Sequence, residues 1–369
     1  MGRVAVISAN SCWNIVNFRM PLIEALRGRG FEVAVVAPFD KSRERLEGVA
    51  YFDIPMNRRG TKPVEELRTF SHYLKLYSRL KPEIAFHFTI KPNIYGGIAA
   101  NLLGVPAVNT VTGLGKSFIS PNWTTPLVKK LYRLSFSKSR KIFFQNHSDL
   151  EFFVREGIVE RERCGVVPGS GIDPAHFPLT PLPPSAPFRF LLVGRIIWEK
   201  GVKEFVEAAR LVKNRYPAVQ FQLLGKLEKP ERGGVPVEKI EEWEREGIVE
   251  YLGVTTDVRG YISQAHCLVL PSYREGVPRA LLEGCSMGRP AVATAVPGCS
   301  EVIKDGVNGF LCPPRDSQKL AQSLLKIVET PLPRLEEMGR RGRELVIEKF
   351  SNRRVLIHYL SVLEGDFKN

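Results

Sequence analysis

The chain has 369 residues, 44% apolar and 25% charged, with 31 Gly and 27 Pro, proportions that belong to globular domains and exclude a disordered or fibrous chain. At about 150 residues per domain the length predicts two domains, and no apolar run approaches the roughly 18 residues that a membrane-spanning helix needs. The net charge of +14 favours anionic partners, and an opening MGRVAVISAN without signal-peptide architecture points to a cytoplasmic protein.

Short apolar runs alternate with helical patterns from the first residue. The predicted strands are 3–8, 32–37, 50–55, 83–88, 107–112, 141–146 and 165–168, with helices at 19–29, 64–80, 93–103, 125–136 and 149–156 between them. Continuous Val/Ile/Phe runs fit parallel strands buried on both faces, and the β-α-β order fits a doubly wound sheet. The segment PGSGIDPAHFPLTPLPPSAP (168–187) breaks the rhythm with seven prolines and reads as an interdomain connection, its core at 176–187. The alternation then restarts, with strands at 188–193, 219–224, 249–252, 267–271, 291–295 and 310–312. Helices are predicted at 202–214, 240–246, 279–287 and 317–329, and the chain reads as helical from Leu332 onward. The expected domains are therefore 1–175 and 188–349, with a terminal helix near 350–369 returning to the first. Two facing Rossmann-like domains would hold a ligand at the C-terminal ends of their strands, in the cleft between them.

Residues 1–180 hold 25 basic and 15 acidic side chains, and from Ile84 to Ser148 there is no carboxylate at all. Inside that stretch, TPLVKKLYRLSF (125–136) puts Leu127, Val128, Leu131, Tyr132 and Leu134 on one helical face and Lys129, Lys130 and Arg133 on the other, with Trp123 just upstream. Either an ordinary packed helix with a solvated basic face or a surface on an anionic membrane satisfies this pattern. No helix-turn-helix, zinc-finger or RNP-type signature is present, so nucleic acid is not an expected partner. The six cysteines form no C-x-x-C pair and the six histidines no metal-binding spacing, so neither disulfides nor a protein-ligated metal is expected.

Two segments carry chemistry. In FLLVGRIIWEKGV (190–202), Arg195 follows a strand directly and Lys200 precedes a helix, a pair suited to a diphosphate arriving at a helix N-terminus. In LPSYREGVPRALLEG (270–284), Glu275 lies in a loop and Glu283 on the following helix, with Gly276, Val277 and Pro278 opening that helix. A carboxylate beside an anion site makes sense where it accepts hydrogen bonds from hydroxyls next to the phosphate, as on a sugar or ribose. TVTGLGKS (110–117) is one glycine short of a Walker A loop, and GSGID (169–173) lacks the third glycine of a dinucleotide fingerprint.

Taken together, GR-x4-KG at 194–201, the Glu275/Glu283 pair inside EGVPRALLE and VPGCSEVIKDGVNGFLCPPRD at 296–316 resemble family 4 of the retaining glycosyltransferases, of the GT-B fold. NFRMPLIEAL (17–26), HFTIKPNIYGGIAA (87–100) and NTVTGLGKSF (109–118) look like the subgroup that elongates polyprenyl-diphosphate-linked saccharides. The resemblance implies a metal-independent transferase on a UDP-sugar, with an N-acetylhexosamine or hexose as the sugar moved, peripheral on the inner face of the cell membrane. It implies that Arg195 and Lys200 hold the donor diphosphate, Glu275 the donor sugar, Glu283 the ribose, and Gly276 and Val277 the phosphates through their backbone; Pro278 and Gly225 complete the donor set. Asn17, Arg19, His87, Lys91, Gly113 and Lys116 form the acceptor set, with Arg19, Lys91 and Lys116 suited to an acceptor diphosphate. Many relatives carry a histidine where this chain reads TVTGLGKSF; His87 is either an acceptor ligand or a core histidine. The alternatives are another GT-B enzyme on nucleotide sugars (a GDP-sugar transferase, phosphorylase or epimerase) or a non-catalytic peripheral membrane module.

Overall fold

A computed structural model describes residues 2–57, 60, 62–114, 118, 123–184 and 186–364. Among these, thirteen strands form two all-parallel sheets, and the chain divides into two compact units, Met1–Gly171 with Asn352–Asn369, and Ile172–Ser351.

In the first unit β1 (Arg3–Ser8), β2 (Phe31–Val36), β3 (Ala50–Phe52), β4 (Ile84–Phe88), β5 (Ala107–Val111), β6 (Lys141–Phe144) and β7 (Cys164–Val166) lie in the order β3-β2-β1-β4-β5-β6-β7. β4 and β5 are buried along their whole length, which is why their residues do not alternate between polar and apolar, and the polar ones, His87, Asn109 and Thr110, are hydrogen-bonded inside the protein. The helices are α1 (Cys12–Phe18), α2 (Met20–Arg27), α3 (Pro63–Leu80), α4 (Gly97–Leu103), α5 (Thr125–Phe136) and α6 (His147–Arg155). The helix expected at 19–29 is α2, and a further helix precedes it: Ser11 caps α1 by accepting the Asn14 N–H at 3.1 Å, and the chain breaks at Arg19 before α2 starts. Asn17 therefore lies inside a helix and Arg19 at a junction.

In the second unit β8 (Arg189–Val193), β9 (Gln220–Leu224), β10 (Glu250–Tyr251), β11 (Cys267–Leu270), β12 (Ala291–Thr294) and β13 (Gly309–Cys312) lie in the order β10-β9-β8-β11-β12-β13. Its helices are α7 (Val202–Arg215), α8 (Val237–Arg245), α9 (Arg259–Gln264), α10 (Arg279–Ser286), α11 (Pro297–Val302), α12 (Ser317–Glu329) and α13 (Leu332–Leu345). The six-residue helices α9 and α11 are too short to display a periodicity in the sequence. The last helix, α14 (Asn352–Glu364), packs Val355, Tyr359 and Leu363 into the core of the first unit, and the Tyr359 hydroxyl lies 3.2 Å from Thr110 Oγ1.

The proline-rich stretch differs from its expected role. The division falls at Gly171/Ile172, before residue 175, and 176–187 belongs to the second unit. Two arginines hold it there. Arg289, fully buried, donates to the Thr180 carbonyl at 2.9 Å, to its hydroxyl at 2.6 Å and to the Pro181 carbonyl at 2.8 Å. Arg343 donates to the Phe177 carbonyl at 3.0 Å and the Pro174 carbonyl at 3.3 Å. Prolines leave those carbonyls without a local N–H partner, and the guanidinium forks supply it.

His87, the last but one residue of β4, is a core histidine. Asn109 Nδ2 donates to Ser139 Oγ at 2.7 Å, which leaves its Oδ1 to accept from His87 Nδ1 at 2.9 Å; Nε2 then accepts the Tyr77 hydroxyl at 2.7 Å. Both ring nitrogens are used inside the protein, so the acceptor role expected for this residue is not available to it. Burial pushes its pKa down to about 4. The unfolded chain takes up a proton near the ordinary value of about 6.5, where the folded chain does not, so stability falls as pH drops from there towards about 4. The expected slope is at most about 1.4 kcal/mol per pH unit. Denaturant unfolding of wild type and His87→Asn at pH 7.5 and pH 5 checks this: the stability gap between them should narrow at pH 5, and an unchanged gap contradicts it.

Candidate active site

Each strand order reverses once, between β8 and β11 in the second unit and between β1 and β4 in the first. Connections leave the two strands at such a point in opposite directions and open a crevice at their C-terminal ends, where open α/β sheets take ligands.

In the second unit the residues singled out in the sequence gather there. Gly194 (φ 157°) follows β8, and the next residue, Arg195, is exposed. Gly225 (φ 145°) follows β9; a Cβ there would lie 1.8 Å from the Gly194 carbonyl oxygen, so glycine is required for the backbones to meet. Lys200 precedes Gly201, which adopts a left-handed φ of 72° with its Cα against the Pro271 carbonyl at the end of β11. That packing brings together side chains 75 residues apart: the Lys200 ammonium is ion-paired with the Glu275 carboxylate. The two are only 20% and 12% exposed, so the interaction is weakly screened.

Downstream, Gly276 and Val277 lead to Pro278, whose extended backbone (φ −74°, ψ 118°) caps α10. The first N–H groups of that helix have no partner within it and carry the positive end of its dipole. A Cβ on Gly298 would lie 1.6 Å from the Gly276 carbonyl oxygen, so the start of α11 is packed against this loop. One turn into α10, Glu283 accepts from Arg279 Nε at 2.8 Å. Burial raises the Glu283 pKa, while the Arg279 charge and hydrogen bond oppose the rise. Arg279 was missed in the sequence, although its i,i+4 spacing from Glu283 was readable. The second unit thus presents cations for an anion, helix-terminal amides beside them, and two oriented carboxylates that can accept hydroxyl protons.

The acceptor set of the first unit is not assembled as expected. Arg19 is only 2% exposed, its guanidinium 3.8 Å over the Phe88 ring and hydrogen-bonded to Tyr359. Lys91 is ion-paired with Glu66 and donates to the Gly60 carbonyl at 2.7 Å. Asn17 donates back to the Trp13 carbonyl at 2.8 Å, Gly113 follows β5 with φ 139°, and Lys116 lies outside the described residues. A free-standing trio of cations for an acceptor diphosphate is therefore not what these placed residues make.

A family model described as Glycosyl transferases group 1 matches residues 187–330, and one described as Glycosyl transferase 4-like matches residues 4–146, one on each unit. The fold matches the crystal structure of Anabaena Alr3699/HepE in complex with UDP and glucose at a TM-score of 0.80, over 99% of this chain and 100% of that one, with 17% identity. The chain is a glycosyltransferase of the GT-B fold. The glycosyltransferase is 27% identical to the N,N'-diacetylbacillosaminyl-diphospho-undecaprenol alpha-1,3-N-acetylgalactosaminyltransferase of Campylobacter jejuni, covering 96% of this chain and 97% of the relative. It is 24% identical to the UDP-Gal:alpha-D-GlcNAc-diphosphoundecaprenol alpha-1,3-galactosyltransferase of Escherichia coli, covering 83% and 81%.

The ion pair has a consequence for nucleotide binding. A diphosphate must draw the Lys200 ammonium away from Glu275 and tolerate the carboxylate beside it. Glu275→Gln removes both obstacles. Calorimetry with UDP should show the variant binding about 3- to 10-fold more tightly, equivalent to roughly 0.6–1.4 kcal/mol; weaker binding by the variant contradicts this reading of the pair.

Proposed function

We propose that this glycosyltransferase moves an N-acetylhexosamine or hexose from a UDP-sugar to a polyprenyl-diphosphate-linked saccharide, with retention of anomeric configuration and without a metal ion. The observation that carries the proposal is the ion pair of Lys200 and Glu275 at the strand reversal of the second unit, where Arg195, exposed, follows β8. Cations there meet the diphosphate, and a carboxylate within reach of them meets the hydroxyls of the sugar attached to it. UDP as the nucleotide is supported by the UDP complex of the structural neighbour and by the UDP-galactose in the name of the Escherichia coli relative. The acceptor class is supported by both curated relatives, whose names specify saccharides on diphospho-undecaprenol.

In the reaction so read, the bond between the anomeric carbon and the β-phosphate oxygen breaks, and an acceptor hydroxyl forms the new bond from the same face. The hydroxyl proton passes to the departing diphosphate. Arg195, Lys200 and the N–H groups that open α10 stabilise the negative charge as it develops, the part a metal ion plays in other transferases. Glu275 orients the sugar through its hydroxyls, and Glu283, held by Arg279, accepts the ribose hydroxyls.

A membrane-bound acceptor requires the enzyme to work at a lipid surface, although none of the described helices is long and apolar enough to cross a membrane. The surface that suits this is not the basic face expected of α5. Lys129 is paired with Glu156, and Arg133 donates to the Glu156 and Gly157 carbonyls at 2.7 and 2.8 Å, so both serve the packing of α5 on α6. Leu127, Lys130 and Leu134 instead form an exposed stripe at i, i+3 and i+7. Leu102 on α4 and Trp123, 89% exposed, are further exposed apolar residues on the same stretch of chain. Apolar side chains with a free-ended lysine suit the boundary of an anionic bilayer.

The test incubates the protein with an undecaprenyl-diphosphate-linked N-acetylhexosamine and UDP-N-acetylgalactosamine, UDP-N-acetylglucosamine, UDP-galactose, UDP-glucose or GDP-mannose in excess EDTA. Mass spectrometry of the lipid should show one added hexosamine or hexose from a UDP-sugar. Transfer from GDP-mannose alone, transfer abolished by the chelator, or no transfer from any donor each contradict the proposal.

A further inference from the structure

The loop that carries Glu275 is fastened at Tyr273. The Tyr273 backbone N–H donates to the Glu199 carbonyl at 3.0 Å, next to Lys200 in the chain. Its hydroxyl reaches both carboxylate oxygens of Glu204, at 2.9 and 3.0 Å, in the first turn of α7. Arg315 lies on the other side of the ring, its guanidinium 4.6 Å from the ring centre. Arg315 holds a left-handed backbone (φ 60°), rare outside glycine and retained only where the surroundings fix it. Glu204 is 7% exposed, and a carboxylate that deep needs hydrogen bonds and the helix N-terminus to offset lost hydration. Tyr273 is thus the point at which the β8–α7 loop, the loop after β11 and the turn after β13 are tied together, two residues from Glu275.

We propose that Tyr273 is a positioning residue of the donor site: its hydroxyl on Glu204 and its ring under Arg315 hold the 272–275 loop so that the Glu275 carboxylate stands where the transferred sugar binds beside Lys200. The proposal rests on the donor reading above. Arg195, Lys200 and the α10 amides bind the nucleotide without help from this brace, whereas the sugar is held by Glu275 and depends on it. Glu204 acts on the same loop through Tyr273 and touches no substrate.

The experiment measures UDP affinity, donor KM and kcat for UDP release from the best of UDP-N-acetylgalactosamine, UDP-N-acetylglucosamine, UDP-galactose and UDP-glucose, in wild type, Tyr273→Phe, Glu204→Gln and Glu204→Ala. Tyr273→Phe should lower the unfolding midpoint, because Glu204 loses its hydroxyl partner, yet stay folded at the assay temperature with UDP affinity within twofold and kcat lowered about tenfold. Glu204→Gln, whose amide oxygen still accepts the phenol proton, should keep at least half of wild-type kcat. Glu204→Ala should match Tyr273→Phe, and combining the two should lower kcat no further. Unchanged kcat in Tyr273→Phe overturns the positioning role and leaves the donor reading standing. Loss of UDP affinity in parallel with kcat also overturns it, because the brace would then serve the whole loop rather than the sugar. A wild type that binds no UDP and releases none overturns the donor reading, and this proposal with it.

Discussion

A cation held mostly out of water needs a counter-charge, and the Lys200–Glu275 ion pair answers that constraint. On the donor reading proposed above, the partner is the carboxylate that orients the sugar, so one contact keeps both groups in place and charge-balanced. The backbone around them follows. Glycine at 201 lets the β8 and β11 loops touch, and glycine at 225 lets the β9 end close on Gly194. Tyr273 binds the Glu275 loop to α7 from the other side. The sheet contributes the location, since only where the strand order reverses do loops from two neighbouring strands face one ligand without a helix between them.

The two units use their polar residues differently. In the second, cations and carboxylates stand at the ends of central strands, Lys200 and Glu275 mostly buried and Arg195 exposed. In the first, the corresponding polar residues are turned inward: Arg19 lies over Phe88, His87 is spent on Tyr77 and Asn109, and Lys91 on Glu66. Buried polar groups of this kind are costly when one partner is lost, and they make a unique core. Charge in the first unit is therefore a poor guide to where an acceptor binds, despite the acid-free stretch from Ile84 to Ser148.

All thirteen strands were legible in the sequence, because buried parallel strands need unbroken apolar runs and these stand out between helical patterns. The nearness of Lys200 to Glu275 was legible because their spacing is tied to strand and helix ends. What escaped is what spacing cannot show. Ser11 caps α1, a helix ahead of the one expected at 19–29. The prolines of 176–187 suggested a free linker, and nothing local revealed that Arg289, over 100 residues away, is bonded to it. For Lys129 and Arg133 the sequence left a packed helix and a lipid surface both open, because Glu156 and its carbonyl, which decide it, lie beyond the helix that carries them. The partners of Arg289, Lys129 and Arg133 are distant in the chain and invisible to any periodicity.

The account stands on Lys200 as the group that receives the diphosphate. Titration of UDP and of uridine, followed by NMR, into wild type and Lys200→Met tests this most directly. Loss of a charge-assisted contact to the diphosphate should weaken UDP by about 10- to 100-fold while leaving uridine unchanged. UDP binding that is unaffected, or uridine binding that falls by the same factor, would contradict it.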